Sequence, residues 1–146
     1  MIAFLDSSAL IYYFEGAPPF RQAVIEVLRG IKAENPETIV TVSRLGLMEC
    51  RVKPLRDGNF ALLAHYDAFF VQAKIVELTA SVVDLATHLR ADTGLKTPDA
   101  LQAASALSVA DPCCFVSGDA GFARVPGLRL RQVSVATPTT GSVATK

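Results

Sequence analysis

The segment Ile2-Ala-Phe-Leu-Asp6-Ser-Ser8 places an acidic residue directly after a short apolar run. A run of this length, closed by a polar residue, is typical of a strand that is buried on both faces of a sheet. The following segment, Ala9–Phe14, has helical character, Ser8 is a suitable N-cap for it, and Gly16 ends it. The start of the chain therefore predicts a strand followed by a helix, the unit from which α/β folds are built.

The same alternation continues to the end of the chain. Further strands are predicted at Thr38–Val42, Ile75–Leu78, Cys113–Val116 and Leu128–Val133. Further helices are predicted from Phe20 to the Asn35-Pro36 break, at Leu45–Leu55, Phe60–Val71 and Val82–Ala91, and at Ala100–Ala110 with Thr97 as its N-cap. This order predicts a three-layer α/β/α sandwich around a central, mainly parallel, twisted sheet. Ligands of such sheets bind beyond the carboxyl ends of the strands.

Length and composition limit the classes of protein that fit. The 146 residues suit one domain, which we expect over residues 1–134, followed by a disordered, threonine-rich tail over residues 135–146. With 14 basic and 14 acidic residues, the chain is formally neutral, which argues against a protein that coats nucleic acid by charge alone. No signal peptide and no apolar stretch near the ~20 residues of a membrane span are found, so we expect a cytoplasmic protein without membrane contact.

The cysteines and histidines do not suggest a zinc site. The cysteine count is odd, and neither the cysteines nor His65 and His88 have the spacing of zinc ligands. We therefore expect three reduced, buried thiols and two structural histidines.

Four acidic residues are candidates for chemistry, although each also has an ordinary structural explanation. Asp6 and Asp119 follow strands, where aspartate commonly stabilises turns. Asp99 is expected as the second residue of its helix, where the helix dipole favours an acid. Glu49 lies at helical spacing from apolar residues, and burial of a carboxylate on such a face requires a cation or metal partner. The alternative is an exposed Glu49 that pairs with Arg51, Lys53 or Arg56.

The order and the sequence context of these acids resemble the PIN-domain ribonucleases, and most closely the VapC-type toxins of type II toxin–antitoxin systems. The first motif is Phe4-Leu-Asp-Ser-Ser-Ala-Leu-Ile11 and the second is Leu47-Met-Glu-Cys50. The third is Lys96-Thr-Pro-Asp-Ala-Leu-Gln-Ala-Ala-Ser-Ala-Leu107, and the fourth is Phe115-Val-Ser-Gly-Asp-Ala-Gly-Phe122. The resemblance covers the chain from Met1 to about Val133.

The resemblance implies roles for individual residues. Asp6, Asp99 and Asp119 would hold Mg²⁺ or Mn²⁺, with Glu49 close to the metal either directly or through water. Ser8 and Ser117 match positions that often carry a hydroxyl near the metal. The last motif of the family commonly reads Thr-Asn-Asp-x-Asp-Phe, and this chain departs from it at Gly118 and Gly121. The missing acid at position 121 leaves the number of metals open.

The resemblance also implies an activity and partners. The expected function is metal-dependent endoribonuclease hydrolysis of RNA phosphodiester bonds by the toxin of a toxin–antitoxin pair. A cognate antitoxin and a homodimer are the expected protein partners.

Lys96 could contact phosphate or could pair with Asp92. A cluster of cations on and before the third helix is a candidate substrate or partner strip, or simply a solvated face: Arg44, Arg51, Lys53 and Arg56.

Three other functions compete with this one. A solitary PIN nuclease in RNA processing would carry the same four acids. A PIN-like binding protein that has lost its metal would keep the fold without the activity. A phosphatase with an aspartyl nucleophile would also place an aspartate after the first strand, but its usual second aspartate is replaced here by Ser8.

Overall fold

A computed structural model describes residues 1–135. The strands are β1 (Ile2–Leu5), β2 (Ile39–Ser43), β3 (Lys74–Val76), β4 (Cys113–Ser117) and β5 (Leu130–Gln132). The helices are α1 (Ser7–Glu15), α2 (Pro18–Glu34), α3 (Arg44–Asp57), α4 (Phe60–Gln72), α5 (Ala80–Thr93) and α6 (Thr97–Leu107), and a short 3-10 helix covers Ala120–Arg124. All strand pairs are parallel, in the order β3-β2-β1-β4-β5. The predicted α/β fold with a parallel central sheet is confirmed.

The central strand β1 shows why this sequence forms three layers. All four of its residues are buried, and alternate side chains point to opposite faces of the sheet. Ile2 and Phe4 pack into a core with α5 and α6, while Ala3 and Leu5 pack into a second core with α1 to α4. The short apolar run is therefore continuous because helices cover both of its faces.

The N-terminal caps of two helices differ from the sequence prediction. Helix α1 begins at Ser7, and its N-cap is Asp6, whose Oδ1 accepts a hydrogen bond from the Ala9 N–H at 3.0 Å. Ser8, the predicted cap, lies inside the helix. Helix α6 begins at Thr97 itself, so Asp99 is its third residue and not its second. The N-cap position is Lys96, no side chain caps the helix, and the Thr97 hydroxyl accepts a hydrogen bond from Arg90 Nη1 at 2.8 Å.

Two predictions concern the remainder of the chain. The predicted disordered tail lies outside the described residues, apart from Val135, which has no regular secondary structure. None of the helices within residues 1–135 combines the length and the apolar character that crossing a bilayer requires.

Candidate active site

Asp6 is the most enclosed of the four acids. It follows β1, is 4% exposed, and accepts hydrogen bonds through both carboxylate oxygens. Oδ1 accepts from Ser8 Oγ at 2.7 Å as well as from the Ala9 N–H, and Oδ2 accepts from Ser117 Oγ at 2.6 Å. Burial raises the pKa of Asp6, the three donors partly offset that rise, and the nearby Asp99 adds to it.

The loop after β4 brings Asp119 to the same edge of the sheet. The Asp119 N–H donates to Ser117 Oγ at 2.9 Å, and the Gly118 N–H donates to Ser8 Oγ at 3.0 Å. Asp119 then caps the 3-10 helix by accepting from the Gly121 N–H at 2.7 Å. Both predicted serines therefore connect Asp6 to the loop that carries Asp119.

Packing explains why position 118, one of the two departures from the family pattern, is a glycine. A Cβ atom at this position would lie 2.6 Å from Tyr12 Cε2 and 3.1 Å from the Tyr12 hydroxyl oxygen. Contacts under 3.0 Å are not tolerated, so a side chain at 118 would displace the Tyr12 ring. That ring also packs against Phe20, with centroids 5.0 Å apart. Tyr12 therefore packs along the edge of the site.

Glu49 is held by polar side chains and not by the basic residues of α3. Its Oε1 accepts hydrogen bonds from Ser7 Oγ at 2.5 Å and from Gln102 Nε2 at 3.2 Å. Gln102 is 2% exposed, and its Oε1 accepts from Ser43 Oγ at 2.9 Å. The proposed pairing of Glu49 with a basic residue of α3 is absent from residues 1–135, where Glu49 is half-buried on the site side of α3.

Asp99 lies in the first turn of α6 and is half-buried. Burial raises its pKa, and the neighbouring carboxylates of Asp119 and Glu49 raise it further. The positive charges of Lys96 and Arg124 lower the pKa of Asp99 and partly offset this rise. Asp99 also raises the pKa of Asp6, so Asp99 lies close enough to each of the other three carboxylates for their charges to interact. We call this set of residues, Asp6, Glu49, Asp99 and Asp119, the acidic site.

The chemistry of the acidic site fits a hard divalent cation, although its side chains do not form a finished cage. As they are placed within residues 1–135, no three acidic, histidine or cysteine side chains are arranged to hold one metal ion. The donors are carboxylate and hydroxyl oxygens, which suit Mg²⁺ and Mn²⁺, and Mg²⁺ typically takes only one or two protein carboxylates. Coordination by three of these acids would require their side chains to rotate.

The predicted cations have different surroundings. Lys96 is exposed and forms no ion pair with Asp92 within residues 1–135. Most of the proposed basic strip is neutralised locally by the pairs Arg44–Glu77, Arg51–Asp67 and Arg56–Asp57. The strip is therefore a poor substrate-binding surface, because these ion pairs leave little positive charge free for a phosphate.

The remaining predicted residues lie apart from this chemistry. His65 and His88 are exposed on α4 and α5, and neither contributes to the raised pKa of Asp6 or Asp99. All three cysteines are free; Cys50 and Cys114 are buried and Cys113 is half-buried.

Three polar residues of the site escaped the sequence prediction: Ser7, Ser43 and Gln102. Gln102 did leave a signal, because it is a lone amide within the buried, alanine-rich segment Ala100–Ala106 and lies three residues after Asp99. A polar side chain at that position requires hydrogen-bond partners.

The fold and the site define a class of α/β/α protein with a parallel sheet, in which two aspartates follow β1 and β4 and two further acids lie on α3 and α6. The model of the PIN domain family matches residues 3–128, and the chain belongs to that family.

Several solved structures that share this fold come from toxin–antitoxin systems. VapBC2 from Rickettsia felis, bound to a DNA fragment from its promoter, matches with a TM-score of 0.70 and 21% identity over 92% of this chain and 100% of that chain. A toxin–antitoxin complex from Klebsiella pneumoniae matches with a TM-score of 0.68 and 20% identity. The match covers 92% of this chain and 99% of that chain. VapC20 from Mycobacterium tuberculosis, a toxin that cleaves the sarcin–ricin loop, matches with a TM-score of 0.68 and 15% identity. The match covers 88% of this chain and 98% of that chain. No curated protein matches significantly.

Proposed function

We propose that this chain is a Mg²⁺- or Mn²⁺-dependent endoribonuclease that hydrolyses RNA phosphodiester bonds and acts as the toxin of a toxin–antitoxin pair. The carrying observation is the acidic site itself, where burial and mutual proximity raise the pKa of both Asp6 and Asp99. Carboxylates gathered in this way repel one another, and a divalent cation relieves that repulsion. Membership of the PIN domain family and the toxin–antitoxin neighbours add support.

The residues of the site have different parts in this proposal. A bound divalent cation would supply Lewis-acid chemistry, lowering the pKa of water and stabilising charge on the scissile phosphate. Asp6 is fixed by Ser8 and Ser117, so it is the rigid ligand of the set. Asp99 on α6 and Asp119 in the loop after β4 would supply the other metal-binding carboxylates. Glu49 has its Oε1 engaged by Ser7 and Gln102, which leaves Oε2 for the metal or for a water.

The toxin assignment brings a protein partner into the proposal. The neighbouring structures include complexes of toxin with antitoxin, and we propose a cognate antitoxin for this chain. A short reading frame directly upstream that encodes a DNA-binding protein would support it. Expression of the chain should arrest growth, and Asp6→Ala should abolish the arrest. Equal growth with both proteins would remove the toxin assignment. The cytoplasm, where RNA and antitoxin meet, is the proposed location.

We also propose that the chain forms a homodimer. Helix α3 exposes three apolar side chains at helical spacing, Met48, Val52 and Leu55, each at least 50% exposed. Apolar stripes of this kind are commonly covered by another protein. Light scattering coupled to gel filtration should give the mass of a dimer, and Val52→Asp should shift it toward the monomer. A monomeric wild type would overturn this part.

Cleavage of total RNA with mapping of the cut sites tests the nuclease assignment. We expect wild type to cut in the presence of Mn²⁺, and EDTA or Asp99→Asn to stop the cutting. Asp84→Asn is the matched control because Asp84 is an exposed aspartate on α5 outside the acidic site. Cutting that survives both EDTA and Asp99→Asn would exclude the mechanism.

The competing functions give different results in the same preparation. A solitary RNA-processing nuclease would cut RNA without arresting growth. A PIN-fold binding protein would neither bind Mn²⁺ nor cut, and the absence of a finished metal cage within residues 1–135 is the observation in its favour. Release of inorganic phosphate without RNA cleavage would indicate a phosphatase.

A further inference from the structure

Arg124 is held beside the acidic site by two backbone carbonyl groups. Its Nε donates to the carbonyl oxygen of Gly121 at 3.2 Å, and its Nη1 donates to that of Thr93 at 3.1 Å. These bonds connect the 3-10 helix after Asp119 to the end of α5, so they fix the guanidinium group in one place. The side chain is nevertheless exposed to solvent.

The second terminal nitrogen of this guanidinium group, Nη2, lies beside Gly121. A Cβ atom at Gly121 would lie 3.5 Å from Arg124 Nη2 and 3.1 Å from Asp119 Oδ1. The cation and the carboxylate therefore flank the same glycine, yet no ion pair joins them within residues 1–135. No hydrogen bond from Nη2 is found in that part of the chain either.

Gly121 accounts for this free nitrogen. An acidic side chain at position 121 would start within contact distance of Arg124 Nη2 and would neutralise it. Glycine has no such group, so the guanidinium charge stays available at the edge of the site. This is also the position where the fourth sequence motif lacks an expected acid.

We propose that Arg124 binds an RNA phosphate next to the acidic site and that Gly121 keeps it free to do so. The inference rests on the proposed function, because it assumes an RNA strand at the acidic site. Four carboxylates repel a polyanion, and a fixed guanidinium group with a free N–H edge offsets that repulsion at one phosphate. Arg124 lowers the pKa of Asp99, as Lys96 also does, so the charge of Arg124 lies close to that carboxylate.

The salt dependence of RNA binding tests this directly. The probe is a fluorescein-labelled single-stranded RNA oligonucleotide of mixed sequence, read by anisotropy immediately after mixing in EDTA. Arg124→Gln keeps an N–H donor for the carbonyls and loses the charge. Loss of one phosphate contact should reduce the slope of log Kobs against log salt by about 0.7. Arg124→Lys should retain the slope. Arg129→Gln is the matched control, because Arg129 lies before β5, at the amino ends of the strands, whereas the acidic site lies at their carboxyl ends.

Position 121 supplies a second readout that a purely structural role of Arg124 would not move. Gly121→Asp should reduce the slope in the wild-type background but not in Arg124→Gln, and the neutral Gly121→Asn should leave it unchanged. An unchanged slope in Arg124→Gln, or an equal effect of Gly121→Asp in both backgrounds, would overturn the proposal. If Arg124→Gln does not fold, the comparison of Gly121→Asp with Gly121→Asn decides. Wild-type RNA cleavage is scored separately, so intact cleavage with an unchanged slope rejects Arg124 alone.

Discussion

Gln102 Nε2 donates a hydrogen bond to Glu49 Oε1 at 3.2 Å and so connects helix α6, which carries Asp99, to helix α3. The same amide group lies 3.0 Å from Ser7 Oγ, beside Asp6. Three of the four acids are therefore linked through one buried side chain. Removal of Gln102 should disturb the geometry of the acidic site without removing any acid.

We predict that Gln102→Leu lowers RNA cleavage by about 10- to 100-fold, the usual effect of losing a residue that orients a metal ligand. It should also reduce the free energy of unfolding by about 1–3 kcal/mol, because Ser43 and Glu49 lose a buried partner. Cleavage kinetics and urea denaturation measure the two effects. Gln22→Leu on α2 is the control, since Gln22 is exposed and its side chain donates a hydrogen bond to Glu26 on the same helix. Full activity in Gln102→Leu would contradict the orienting role.

Asp99→Asn should stabilise the metal-free protein while abolishing cleavage. The pKa of Asp99 is raised in the folded state, so its charged form is less favourable there than in the unfolded chain. The penalty is absent well below the ordinary value of 3.8 and develops as the pH rises through the raised pKa. The difference in Tm between Asp99→Asn and wild type in EDTA should therefore be small at low pH and positive at neutral pH.

Metal should remove this difference. Mn²⁺ should raise the Tm of wild type at neutral pH and leave that of Asp99→Asn nearly unchanged, because ligand binding stabilises only the protein that binds it. Asp84→Asn, the exposed control on α5, should behave as wild type. If Asp99→Asn is less stable than wild type in EDTA at neutral pH, the proposed repulsion is wrong.

Gly118→Ala should destabilise the fold by about 1–3 kcal/mol, since the new Cβ overlaps the Tyr12 ring. Combination with Tyr12→Ala should recover most of that loss, a non-additive result that identifies the clash. Gly30→Ala is the opposite control: nothing lies within 4 Å of its added Cβ, and in the middle of α2 it should stabilise by up to about 1 kcal/mol. Thermal or urea denaturation of the four variants measures these values. Additive losses at positions 12 and 118 would contradict the steric explanation.

The cysteines should be unreactive in the native protein. Burial raises the pKa of Cys50 to about 12 and that of Cys113 to about 11, and Cys114 is itself buried. Labelling with a disulfide reagent at pH 8 should be about 100-fold slower than in urea, because the thiolate is the reacting form. Fast labelling of Cys50 or Cys114 in the native state would show that the cores open readily.

The sequence was sufficient for the fold because strands and helices alternate and β1 is apolar without interruption. The four acids could be grouped from the sequence only through the order of the motifs that contain them, because each acid alone also has an ordinary structural explanation. Helix starts were less predictable. Asp6 could be a turn residue or a helix cap, and it also bonds Ser117, which is 111 positions away. Thr97 was expected as a cap, but it bonds Arg90 on the preceding helix.

The supporting residues could not be predicted for the same reason. Gln102 and Ser43 are separated by 59 positions, and only the packing of α6 against β2 and α3 brings their side chains together. Arg124 acquires its place from a carbonyl group on α5, 31 positions away. No local pattern contains either contact.

Calorimetric titration of Mn²⁺ into the wild-type protein tests most directly whether the four carboxylates form one cation site. We predict saturable binding by wild type and by Asp84→Asn, and its loss in both Asp6→Asn and Asp99→Asn. Because these two acids come from different elements, their joint requirement would show that they act on the same ion. No binding by wild type, or binding that survives Asp99→Asn unchanged, would contradict the account.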